Sequence, residues 1–169
     1  MNEKSIKQRL VYDFFYPGIL GSILYDVLPI TFSVPFFTRL VIVIFFSLDY
    51  FHLYFLMDKK FTNSQKDTWS YVCFDFLVAV LVFASFKYVD KNNCIALISV
   101  AAIPVCFVIY SFKLKYHRQF YVIYAAIFVL LAIAIIFYEN VYDYNLMTLT
   151  FTILMTLTYL IYVKVVSKN

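Results

Sequence analysis

Long apolar runs, each close to the ~20 residues that an α-helix needs to cross the hydrocarbon of a bilayer, decide what this chain can become. Four stretches, 68–86, 94–112, 119–138 and 145–163, read directly as membrane spans. A fifth, 36–57, is of the same kind and carries Arg39 near one end with Asp49 and His52 well inside. Strands of a membrane barrel would instead show strict in/out alternation over about 10 residues, and these runs are continuous. Of the 169 residues 64% are hydrophobic and only 14% charged, so water cannot be the solvent for most side chains.

The sixth candidate, 10–28, contains Pro17, Gly18 and Gly21, is followed by Pro29, and includes Asp13 and Asp26. It reads as a broken span, a re-entrant segment or an in-plane interfacial helix. The basic start, with Lys4, Lys7 and Arg9, lacks a small-residue cleavage site and is expected to be retained. The expected fold is all-α: one polytopic transmembrane helical bundle over residues 1–169 with about six membrane segments, five clear and the first broken or re-entrant.

Positive charge sets the orientation, because cytoplasmic loops collect Lys and Arg. With six spans and both termini inside, eleven basic residues fall on the cytoplasmic side against Arg39, Lys87 and Lys91 outside. With five spans the ratio drops to eight against six, so six are favoured. The expected location is a bacterial inner membrane. Lys59, Lys60 and Lys66 in one connection, and Lys113, Lys115 and Arg118 in another, form basic patches. They attract anionic lipid and offer a docking surface to an acidic cytosolic protein. His117 in the second connection has no ligand spacing around it.

Ionisable groups inside hydrocarbon cost a few kcal/mol each and usually have a purpose. Asp49 and His52 share one helix face, and Asp75 on the next span sits at a similar depth, about 10 to 14 Å from the same membrane surface. If the two helices touch, these residues form either an ion or proton site or a polar tie between helices. In the tie, the acids bond hydroxyls such as those of Ser47, Ser70, Tyr50 or Tyr71. One histidine and two acids are an incomplete metal set, so no metal is expected.

Thr148, Thr152 and Thr156 recur every fourth residue along the last span. Such a stripe lines a water path or, more commonly, allows close packing while each hydroxyl bonds its own helix. Ala96, Ser99 and Ala102 offer a second close-packing face, with Pro104 expected to bend that helix. An eight-residue repeat relates 147–151 to 155–159. Cys73, Cys94 and Cys106 have neither CxxC nor metal-ligand spacing and are expected as buried thiols.

With two glycines in the chain, glycine-rich phosphate loops are excluded, and no nucleophile, metalloprotease or nucleotide motif is present. No cofactor and no nucleic-acid partner are expected. The leading expectation is a non-enzymatic integral membrane subunit that self-associates, recruits a cytosolic partner, or both. The membrane component of a bacterial two-protein system, such as one for anti-phage defence, is an example. The alternative is a small proton or cation channel or transporter that uses Asp49, His52 and Asp75, with the last helix lining the path.

Overall fold

The structure, a computed structural model, describes residues 11–28, 30–60, 68–114, 118–138 and 143–166. A π-helical turn, Val11–Phe15, leads into α1 (Tyr16–Val27). Five longer helices follow: α2 (Val34–Lys60), α3 (Thr68–Tyr88), α4 (Asn93–Leu114), α5 (Arg118–Phe137) and α6 (Tyr144–Val166). There is no strand among the described residues, and three helices, α2, α5 and α6, are long and apolar enough to cross a membrane.

The helices form a bundle in which sequence neighbours pack together and α2/α6, α1/α3 and α4/α6 contacts join helices distant in sequence. The α3/α4 and α4/α5 hairpins are the most extensive packings, and α2 closes the bundle against α6. The helices are apolar on all sides. In α3, Val78, Ala79, Val82 and Phe86 face inward while Phe76, Leu77, Val80 and Phe83 face outward. A helix that is hydrophobic all round suits lipid, and the outward apolar faces of this bundle are uncovered by its other helices.

Three helix starts gather at one end of the bundle, each with a side-chain cap. Ser33 Oγ accepts from the Phe36 N–H at 3.3 Å. Asn92 Oδ1 accepts from the Ile95 N–H at 3.1 Å. Asp143 Oδ1 accepts from the N–H groups of Asn145 and Leu146 at 2.9 and 3.4 Å. These contacts satisfy donors that the first helical turn leaves without partners. The same end is knitted by ion pairs Arg39–Asp90 and Lys87–Asp26, and by a hydrogen bond from Asn93 Nδ2 to Asn145 Oδ1 at 2.6 Å. Arg39, Lys87 and the turn between α3 and α4 therefore lie together at this end of the bundle.

The first segment is a single helix aligned with the bundle axis. Its start meets α3 at Asp75 and Phe76, through a Tyr16 hydroxyl that donates to the Asp75 main-chain carbonyl at 3.2 Å and a Phe15–Phe76 ring contact at 4.9 Å. Its end meets α3 at Lys87 through Asp26. A helix lying across the bundle could not make both contacts, since these points on α3 are about 18 Å apart. Pro17 does not break it, because the π-helical turn immediately before loosens the ladder where the proline ring would strike a carbonyl.

Tyr16 and Ile23 face inward, while Gly18 and Gly21 look onto open space in which an added Cβ meets nothing within 4 Å. Glycine weakens a helix by about 1 kcal/mol relative to alanine. Gly18→Ala and Gly21→Ala are therefore expected to leave thermal unfolding in detergent unchanged or shift it upward, by at most about 1 kcal/mol each. A lower melting temperature would show that this face is closed by something other than lipid.

Candidate functional site

Among the described residues Asp49 is the most deeply buried acid, 1% exposed on the inner face of α2. Its Oδ1 accepts a hydrogen bond from the Tyr159 hydroxyl of α6 at 2.8 Å. Its Oδ2 has no hydrogen-bond partner among the described residues. The nearby hydroxyl of Ser47 is not the partner, because it donates to the Val43 carbonyl at 2.9 Å, the usual retreat of a helical serine onto its own backbone. The tie thus joins residues 110 positions apart, across the α2/α6 contact that closes the bundle.

Rings surround this bond. The Tyr159 ring stacks on Phe107 of α4 at 5.7 Å, tilts against Phe45 at 5.3 Å and meets His52 edge-on at 6.0 Å. His52 is therefore brought to the same tyrosine as Asp49, one turn along α2. Asp75, 4% exposed, lies against α1, where its main-chain carbonyl holds Tyr16. No group of three His, Cys, Asp or Glu is placed to share a metal ion among the described residues.

The threonine stripe belongs to the same inner face of α6. Thr148, Thr152 and Thr156 are all buried, and each hydroxyl donates to its own helix, at 2.8 Å to the carbonyls of Tyr144, Leu149 and Thr152 respectively. Thr150 and Thr158, the other threonines of the eight-residue repeat, face outward and bond back in the same way. The repeat places Phe151 and Tyr159 equivalently, and both are buried.

At the centre, α2, α3, α4 and α6 leave a void of about 10 Å³ lined by Phe45, Ser85, Val100, Thr152 and Thr156, among others. That is room for about one water molecule. Ser85 donates to the Val82 carbonyl at 2.7 Å, so the wall offers methyl and methylene groups more than free hydroxyls. Among the described residues this central void is too small for a continuous water path.

Sequence reasoning missed Tyr159 as the partner of Asp49. The signal was present, since extending the stripe of Thr148, Thr152 and Thr156 by one turn reaches Tyr159. Tyr124 was also missed: its hydroxyl crosses from α5 to donate to the Met155 carbonyl at 3.1 Å, while Phe120 and Phe128 contact its ring on either side. The thiols differ from expectation, because Cys106 is buried, Cys94 is partly covered and Cys73 lies on the outward face of α3, all without a disulfide. In lipid an outward cysteine loses nothing, so burial is not needed to hide it.

Of the basic patches, Lys66 and Lys115 lie outside the described residues, as does His117. Lys59, Lys60 and Lys113 occupy the last turns of α2 and α4. Arg118 opens α5 with its guanidinium over the Phe112 ring at 5.2 Å, and donates to the Phe112 carbonyl at 3.3 Å. α2, α4 and α6 end, and α5 begins, at the end of the bundle opposite Arg39 and Lys87. Comparison of the chain with protein families, with curated proteins and with solved structures finds no match in any of the three.

Proposed function

We propose that the chain is a non-enzymatic integral membrane subunit, set in a bacterial inner membrane with both termini in the cytoplasm, that self-associates or recruits a cytosolic protein partner. Service in a two-protein system such as anti-phage defence is the biological setting this reading implies. The observation that carries it is how the intramembrane polar groups are used. The three stripe threonines, Ser47 and Ser85 return to their own helices, and Asp49 ties α2 to α6. The central void holds about one water. The interior is thereby spent on holding a scaffold, which leaves the basic end to engage a partner.

Affinity purification from membranes tests this. A cytosolic protein is expected to copurify, or the chain to recover itself through a second tag. Exchanging Lys59, Lys60, Lys113 and Arg118 together for Gln is expected to reduce recovery of an acidic partner severalfold, and more strongly at low salt. Recovery of the chain alone, as a monomer in nanodiscs, would overturn the proposal.

A second reading, a proton or cation conductor, is favoured by the unpartnered Oδ2 of Asp49 with His52 one turn away. Proteoliposomes separate the two. The scaffold reading expects dye-reported proton and cation flux equal to that of protein-free vesicles. Flux that disappears in Asp49→Asn, with the protein still folded, would establish the conductor in its place.

A further inference from the structure

We infer that the cleft between α5 and α6 is a binding site for one acyl chain of an anionic phospholipid, held with its headgroup at the Arg118 end. The two helices are joined by a short connection, yet they pack only lightly along their length. They touch firmly near the start of α5, where Phe120 and Tyr162 stack at 4.1 Å. From there an open groove of about 290 Å³ extends along Ile123, Ile127 and Leu131 on one wall and Leu154 on the other.

The groove has the dimensions of a lipid tail. Phe120 to Leu131 covers about 16 Å of helix at 1.5 Å per residue, close to the ~15 Å depth of one leaflet's hydrocarbon. A volume of about 290 Å³ spread along that length suits a slender extended chain better than a helix, whose diameter is about 10 Å. Of the small residues through which membrane helices approach closely, the lining contains Thr158 alone, so the surface is poorly made for a second copy of this chain.

The chemistry agrees with the dimensions. Both polar side chains in the lining have their hydroxyls turned away or satisfied: Thr158 donates to the Leu154 carbonyl at 2.8 Å and Tyr124 to the Met155 carbonyl at 3.1 Å. What remains is methyl groups and ring faces. Two exposed cations belong to the same ends of these helices, Arg118 two residues before Phe120 and Lys164 two residues after Tyr162, with the Arg118 guanidinium over the Phe112 ring of α4. A guanidinium has five donors in a fork suited to phosphate, and one of them is directed to the Phe112 carbonyl.

Photo-crosslinking in liposomes tests the site, with a phosphatidylglycerol that carries a diazirine in its acyl chain. Labelling is expected to concentrate on Ile123, Ile127 and Leu154, severalfold above Ile98, Val105 and Ile109 on the outward face of α4. Arg118→Gln is expected to lower groove labelling about fivefold, the equivalent of about 1 kcal/mol for one cation at an anionic surface. Leu154→Trp, which fills the cleft, should remove it while the melting temperature holds. A phosphatidylcholine probe should label the groove about as weakly as phosphatidylglycerol labels Arg118→Gln. Uniform labelling of all outward faces would overturn the proposal. So would equal labelling by the two lipids, or protein dimers crosslinked through the groove.

Discussion

Replacing Phe46 by alanine is expected to destabilise the bundle by about 2 to 3 kcal/mol, the largest effect among single substitutions considered. Phe46 is fully buried on α2, and its ring lies parallel to that of Tyr16 at 5.0 Å. It therefore holds α1 against the rest of the bundle, next to the Tyr16 bond to Asp75. In a water-soluble protein the cost would include transfer of the ring from water, giving about 3 to 5 kcal/mol. In lipid that part is absent, because the separated helices also sit among hydrocarbon. The cavity remains: roughly 100 Å³ at about 24 cal/mol per Å³ gives about 2.4 kcal/mol.

The check is thermal unfolding followed with a thiol-reactive dye in a Cys73→Ser, Cys94→Ser background, where buried Cys106 reports opening of the core. Phe51, half exposed five residues along the same helix, is the control, and Phe51→Ala is expected to change little. Equal losses for Phe46→Ala and Phe51→Ala would mean that burial in this bundle does not govern its stability.

The ease with which the helices were read, and the difficulty of reading their partners, have one physical origin. Lipid demands that each segment satisfy its own backbone, so a run of apolar residues of the right length declares a helix with little help from the rest of the chain. The apolar runs 94–112 and 119–138 accordingly fall within the helices Asn93–Leu114 and, to one residue, Arg118–Phe137, of which the second is long and apolar enough to cross a membrane. Pro104 did not end α4, which continues to Leu114.

The first segment was harder because its course depends on contacts. Pro17 and the glycines suggest interruption by propensity alone, whereas Tyr16 and Asp26 pin the helix to α3 at two depths. Propensity is a local term, and the pins are not.

The polar interior shows the same limit. Depth along a span can be counted, so Asp49, His52 and Asp75 were placed at one level. Which faces meet is decided by packing among large rings, and periodicity does not encode that packing. In the sequence the stripe of Thr148, Thr152 and Thr156 and the acid at Asp49 are separate features, which the α2/α6 contact joins. They are two sides of one interface, in which the stripe's small side chains bring the backbones near and Tyr159 reaches across.

Tyr159→Phe is the change that isolates this interface, and it is expected to cost about 2 kcal/mol, within the ~1 to 3 kcal/mol of leaving a buried polar group without its partner. The ring contacts to Phe107 and Phe45 survive, so only the hydroxyl is lost. Asp49 would then hold two oxygens in the interior without any donor. Asp49→Asn should cost less than about 1 kcal/mol, since the amide carbonyl still accepts from Tyr159. The decisive variant is the double one, Asp49→Leu with Tyr159→Phe. With both partners apolar nothing buried is left unsatisfied, and stability is expected to return to within about 1 kcal/mol of the parent. The double change would thus be milder than Tyr159→Phe alone. Measured interhelical bonds in membranes average only about 0.6 kcal/mol, because separated helices find other partners in lipid. A carboxyl sealed at 1% exposure has no such alternative within the folded bundle. If the two single changes and the double change unfold at the same temperature as the parent, the Asp49–Tyr159 bond does not hold α2 to α6, and the purpose of a buried acid at this position must lie in what its other oxygen binds.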